Sequence, residues 1–253
     1  MSDDGTTTGS RYSLETKAWS ECLLTPTIYV VSLVRAAERR ARMIARLTTE
    51  DLPFVLVDAC EGTDADVRAR APGERSDAVL RIVACLASHL RTLQRFLAST
   101  DAEAIICEDD VRPRHDFARR FRELHSNVPE DAPLVSLGYL VWQWDGFVWA
   151  GKDVSKENVT TIGADLWGTQ MYLVRRAWAA ECVERFGGVV DQIVTDQVRT
   201  AELITRESRY RGGLVAYPPL AIEDLTGSIL NPEAGNANHP EVLARWDSSL
   251  YIP

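Results

Sequence analysis

The stretch EAIICEDDV, residues 103–111, runs a block of apolar residues directly into Glu108, Asp109 and Asp110. Adjacent like charges repel, and each is costly to bury without a partner cation. The commoner use of such a triplet is a solvated turn after a strand. The other is a site for a hard cation, because Mg²⁺ and Mn²⁺ take carboxylate oxygens and share them with a substrate's phosphates. The flanking segments decide between the two.

Upstream, TIYVVSLV is β-branched or apolar in near continuity over residues 28–34, the pattern of a strand covered on both faces. RAAERRARMIARL follows with helix formers, and PFVLVDA, residues 53–59, reads as a second strand. SDAVLRIVACLASHLRTLQRFL opens on the cap candidate Ser76 and sets Val79, Leu80, Val83, Leu86, Leu90, Leu93 and Leu97 at helical spacing. AEAIIC is then a third strand, with the acids at its C-terminal end. Strands alternating with helices imply a parallel sheet, whose ligands collect beyond the carboxyl ends of its strands. The acidic triplet stands where such a sheet keeps its site, which favours the cation reading.

Downstream, RHDFARRFRELH reads as a helix, PLVSLGYL as a strand, and VWQWDGFVWAG as a hairpin about Asp145-Gly146. Trp142, Trp144 and Trp149 on that hairpin can stack on a sugar or base, although hairpin aromatics more often pack on the sheet below. GTQMYLVRRAWAAECVERF reads as strand then helix, DQIVTDQVRTAELITR as a further helix, and GLVAYPPL as a last strand entering a Pro-containing tail. Residues 1–24, rich in Ser, Thr and Asp, are expected to be a flexible arm, and residues 25–253 a single domain.

Composition narrows the function. The hydrophobic fraction of 45% is that of an ordinary globular protein. A formal charge of -9 argues against a nucleic-acid groove, which needs a basic face. An anionic small molecule then needs local arginines or a metal to reverse the sign. There is no apolar run of about 18 residues, so no membrane span is expected. The opening MSDDGTTTGS lacks the basic-then-apolar order of a signal peptide. The five cysteines are scattered without a C-x-x-C pair, which suits core residues in a reducing cytoplasm.

Taken in order, several of these pieces resemble glycosyltransferase family 25, the galactosyltransferase-type family of lipooligosaccharide synthesis that also includes collagen galactosyltransferases. IYVVSLVRAAERRARM is similar to the family's opening strand and arginine pair, and VDACEG to its second-strand motif. ACLASHLRTLQRFL resembles the Cys-x-x-Ser-His-Leu helix, and AIICEDDV the Leu-Glu-Asp-Asp segment. GTQMYLVRRAW and PPLAIEDLTGSI resemble two later blocks. The resemblance spans roughly residues 27–230. It implies an α/β type A glycosyltransferase fold, Rossmann-like with a mostly parallel sheet, a UDP-sugar donor of galactose or glucose type, Mn²⁺ or Mg²⁺ dependence, and inversion at the anomeric carbon.

On that resemblance Glu108 and Asp110 are the metal-binding acids, with Asp109 facing the ribose or a metal-bound water. Arg35, Arg39 and Arg40 follow the first strand, where guanidinium groups can meet a diphosphate or simply begin a solvated helix. Ser88 and His89 become donor contacts. The acceptor-facing segments 139–165 and 231–253 are not placed by the resemblance, so the acceptor is left as a glycan, a natural product or a peptide.

Inversion also requires a base for the acceptor hydroxyl. The candidates are Asp191, Asp196, Glu223 and Asp224. Asp191 and Asp196 are about 140° apart around a helix, so one substrate cannot face both. By the position of the family's acidic residue before PPL, Asp196 is preferred and Glu223 stands next, with Asp191 read as a helix N-cap.

Two other readings share parts of this pattern. A sugar nucleotidyltransferase would use the same sheet and acids, but it needs a glycine-rich loop after the first strand, and SLVRAAERR contains no glycine. A decayed transferase serving as a binding module is disfavoured by retention of all three acids.

Overall fold

The computed structural model describes residues 25–141, 158–161, 166–188, 201–224 and 246–253. The N-terminal arm, the tryptophan hairpin, Asp191 and Asp196 lie outside the described residues.

The first strand, β1 (Ile28–Ser32), is buried at every position. It lies parallel to β2 (Phe54–Asp58) on one side and to β3 (Glu103–Glu108) on the other. The side-chain period of two sorts these strands into two cores. Tyr29, Val31, Ala104 and Ile106 pack on one face, while Ile28, Val30, Ile105 and Cys107 pack on the other. This two-sided burial explains why the strands read as continuous apolar runs. β1 stops at Ser32, short of the expected residue 34; Val34 is 61% exposed.

Helices close both faces. α1 (Ala37–Thr49) places Met43 and Leu47 against the Ile28 face. α2 (Ala65–Arg70) rests on the N-terminal half of α3 (Asp77–Leu97). The Ser76 hydroxyl caps α3 by accepting from the Val79 amide at 3.4 Å. Leu86, Leu90, Leu93 and Phe96 of α3 cover the Tyr29 face.

After β3 the chain turns at Asp109-Asp110 into the short strand β4 (Val111–Pro113) and then α4 (Phe117–His125), whose Phe117, Phe121 and Leu124 fill the Ile28 face. β5 (Leu134–Val141), β6 (Asn158–Thr161) and β7 (Leu166–Arg175) follow, then α5 (Arg176–Phe186) and α6 (Glu202–Ser208). β8 (Leu214–Tyr217) and β9 (Ala221–Glu223) end the described sheet.

The sheet order is β2-β1-β3-β7-β5-β8-β6, with β9 joined to β5 and β4. β2, β1, β3, β5 and β8 run one way, whereas β7 runs antiparallel to both β3 and β5, and β6 antiparallel to β8. The fold is therefore α/β with a mixed, mostly parallel sheet. β4, β6, β9 and α2 are additions to the elements expected from sequence.

One close approach positions the site. Gly138 on β5 faces Ala221 on β9, and a β-carbon at Gly138 would meet the Ala221 carbonyl oxygen at 3.1 Å. β9 is thereby drawn in beside β4, placing Glu223 opposite Val111. The Asp224 amide donates to the Asp110 carbonyl at 2.6 Å, closing the same corner.

Candidate active site

The acids sit at the carboxyl ends of β1 and β3. Val31 is in register with Glu108, so Ser32, the next residue, comes beside Asp109. The Ser32 hydroxyl donates to Asp109 Oδ2 at 2.6 Å. Arg39, in the first turns of α1, brings one guanidinium nitrogen to both neighbours: Nη2 lies 2.5 Å from Asp109 Oδ1 and 2.7 Å from Asp110 Oδ2. The other Arg39 nitrogens, Nε and Nη1, are buried with no hydrogen-bond partner among the described residues.

Glu108 faces a different set of groups. Its Oε1 accepts from the Thr169 hydroxyl at 2.6 Å, and His89 Nε2 lies 3.6 Å from the same oxygen. That second separation is too long for a hydrogen bond. His89 Nδ1 is 3.0 Å from the Tyr172 hydroxyl, and the His89 ring is fully buried. Thr169 is presented from a bend in β7, where Gly168 takes φ +92, in the left-handed region that favours glycine.

The electrostatics differ from acid to acid. Burial pushes the Asp110 carboxyl up to about 8; Glu108, Glu223 and Asp109 add to the rise and Arg39 opposes it. Burial also raises Asp109, against the pull of Arg39 and Ser32. For Glu108, burial is outweighed by His89, Thr169 and Arg39, which hold it below the usual carboxylate range. Arg39 is held above its ordinary value because Asp110, Asp109 and Glu108 outweigh its burial. Asp110 is thus a half-buried carboxyl crowded by anions, the condition that a further cation relieves. Carboxylate oxygens are the donors that Mn²⁺ and Mg²⁺ take, so the chemistry of these side chains suits such an ion.

The remaining predicted site residues divide by depth. Glu223 is buried, 9% exposed, and faces Asp110 closely enough to raise it. Asp224 is paired instead with Arg46, whose Nη2 lies 2.5 Å from Asp224 Oδ2. Arg35 is largely exposed and grips both oxygens of Glu61 at 3.0 Å, tying the loop after β1 to the loop after β2. Ser88 is buried; its hydroxyl donates to Ala84 O at 2.6 Å and accepts from the Cys60 amide at 2.8 Å, which braces the β2 loop on α3. Arg40 pairs with Asp58 at the end of β2.

Sequence reasoning did not single out Ser32, Arg46 or Thr169. Ser32 and Thr169 are small hydroxyls inside apolar strands, a signal that nothing distinguishes from packing. Arg46 carried a clearer one, a cation between Met43 and Leu47 on the buried face of α1.

Among the described residues, no helix is long and apolar enough to cross a membrane. The family model described as "Glycosyltransferase family 25 (LPS biosynthesis protein)" matches residues 25–187. The chain is 28% identical to "Inactive glycosyltransferase 25 family member 3" of Mus musculus over 113 residues, covering 40% of this chain and 19% of that protein. The Homo sapiens protein of the same name is 28% identical over 147 residues, 53% of this chain and 23% of that one. The chain thus spans about a fifth of the length of these curated relatives. A solved glycosyltransferase involved in the glycosylation of the major capsid of PBCV-1 superposes with a TM-score of 0.40 at 8% identity, over 83% of this chain and 98% of that chain. With the family model matched across well over half of its length, from ahead of β1 through the acids to the end of α5, this chain belongs to glycosyltransferase family 25.

Proposed function

We propose that this protein is a metal-dependent, inverting glycosyltransferase that moves a hexose from UDP-galactose or UDP-glucose to a hydroxyl of a glycan, natural-product or peptide acceptor. The observation that carries the reading is the load on Asp110. Glu108, Asp109 and Glu223 crowd it, and Arg39 is the guanidinium that touches it. Such a corner gains from a divalent cation and a phosphate arriving together. Asp110 and Glu108 are assigned to hold Mn²⁺ or Mg²⁺, with Glu223 facing Asp110. The ion's chemical contribution is to stabilise charge on the departing diphosphate.

The chain's own groups supply the rest. Arg39 has Nε and Nη1 buried without acceptors among the described residues, which suits them to phosphate oxygens. Ser32 holds Asp109 in place, and Thr169 holds Glu108. In the reaction the acceptor oxygen bonds to the anomeric carbon, the bond from that carbon to the diphosphate oxygen breaks, and the hydroxyl proton passes to a carboxylate. We assign that role to Asp196, with Glu223 as the next candidate.

The names of the mouse and human relatives favour a second reading, in which the fold is kept without turnover. One assay separates the two. The protein is incubated with a panel of nucleotide sugars and Mn²⁺, and release of nucleoside diphosphate is followed. Release from a UDP-hexose, lost on chelation, supports the transferase. Donor binding seen by calorimetry without such release supports the decayed module.

A further inference from the structure

We propose that Cys85, His89 and Glu108 form a further cation site, which shares Glu108 with the acidic corner and is selective for a borderline-soft ion of the Zn²⁺ class. Cys85 and His89 are four residues apart on α3, so they share one face of the helix. Glu108 comes to that face from the end of β3. The thiol sulfur, an imidazole nitrogen and a carboxylate oxygen of these residues all lie within 4.8 Å of one another.

A second observation points to a ligand. His89 is 0% exposed, yet its Nε2 has no hydrogen-bond partner among the described residues. A buried ring nitrogen left this way is costly unless something occupies it. On the opposite side of the ring, Nδ1 lies 3.0 Å from the Tyr172 hydroxyl. A histidine that binds metal usually donates its other ring N–H to such a partner, which fixes the tautomer and leaves the first nitrogen's lone pair free. Tyr172 is placed to be that acceptor.

The donor set identifies the ion. Sulfur, nitrogen and oxygen together suit Zn²⁺ and its analogues, whereas Mn²⁺ and Mg²⁺ prefer oxygen alone. Three protein ligands leave a fourth position for water or a small anion. Binding forms the metal–sulfur bond and releases the Cys85 thiol proton to solvent, with no change of oxidation state. Cys85 is only partly buried. The other mixed cluster among the described residues, Cys60, Asp64 and Asp66, is already engaged: Asp66 pairs with Arg91 at 3.1 Å, and Asp64 accepts from the Glu61 amide at 2.9 Å.

The test uses Co²⁺ as a spectroscopic substitute for Zn²⁺, on the full chain without donor or acceptor, so it does not depend on the transferase reading. The site predicts a thiolate-to-cobalt charge-transfer band that one equivalent of Zn²⁺ abolishes. The band persists in Cys60→Ser and disappears in Cys85→Ser, with circular dichroism confirming that both variants are folded. Absence of the band in the unmodified protein overturns the proposal. So does a band that survives Cys85→Ser, which would put the ion on another cysteine.

Discussion

The hydroxyl of Ser32 donates to the carboxylate of Asp109 across 2.6 Å, joining residues 77 positions apart at the ends of two parallel strands. The bond fixes one wall of the acidic corner while Arg39 fixes the other. Ser32→Ala removes a donor from a buried charged acceptor and is expected to cost about 1–3 kcal/mol of stability. It should also weaken donor binding. Urea unfolding alongside donor titration checks this, and unchanged values for both would show that Asp109 is held by Arg39 alone.

The pH dependence of stability should carry the mark of Asp110. Its folded-state value, about 8, stands above the ordinary 3.8, so the folded protein keeps a proton that the unfolded chain gives up. The associated stability is complete below the unfolded value and is lost as pH rises through the folded one. The thermal midpoint of the metal-free protein should therefore fall between about pH 4 and 8 through this group. Asp110→Asn should flatten that slope and raise the midpoint at pH 8 by several degrees, each kcal/mol being worth about 2–4 °C at this chain length. A steeper slope in the variant would contradict the assignment.

Arg46 is 4% exposed and bridges Asp224, the Val111 carbonyl at 3.0 Å and the Pro253 carbonyl at 3.1 Å. Arg46→Met leaves the Asp224 carboxylate with only the longer 3.8 Å pair to Arg42 among the described residues and is expected to cost about 3–5 kcal/mol. Adding Asp224→Asn should recover part of the loss, because the two residues act as a unit. A double mutant as unstable as the sum of the singles would show that the pair is not coupled.

Gly168 combines φ +92 with a crowded side: a β-carbon there would lie 2.1 Å from Gln170 Oε1. Gly168→Ala should cost about 1–3 kcal/mol in backbone strain and shift Thr169 off Glu108. The expected result is a lower thermal midpoint together with reduced turnover. Full turnover in the variant would separate Thr169 from the reaction.

These relationships show which parts of the molecule were legible in the sequence. β1, β3 and α3 were plain because burial on both faces leaves apolar runs and helical spacing leaves a periodic stripe, and Ser76 marked the helix start. β4 and β9, three residues each, are too short to show a period, and α2 is only six residues long. The direction of β7 was hidden for a different reason. A strand followed by a helix has the same composition whether it runs parallel or antiparallel to its neighbours, and only the pairing with β3 and β5 decides. At the site, the carboxylates announced themselves by their position after β3. The grip of Arg39 on two of them, and the burial of His89 behind Glu108, depend on contacts between distant elements that spacing does not encode.

The central claim is that the acidic corner binds a nucleotide-sugar donor through a divalent cation. A net charge of -9 repels a diphosphate, and Arg39 already spends one nitrogen on Asp109 and Asp110. Calorimetric titration of a UDP-hexose into the protein, with Mn²⁺ and then with excess chelator, tests this most directly. The account predicts measurable binding with Mn²⁺ and a loss of about tenfold or more on chelation, equivalent to ~1.4 kcal/mol. Equal donor affinity in the two conditions would contradict it and leave Arg39 as the group that receives the diphosphate.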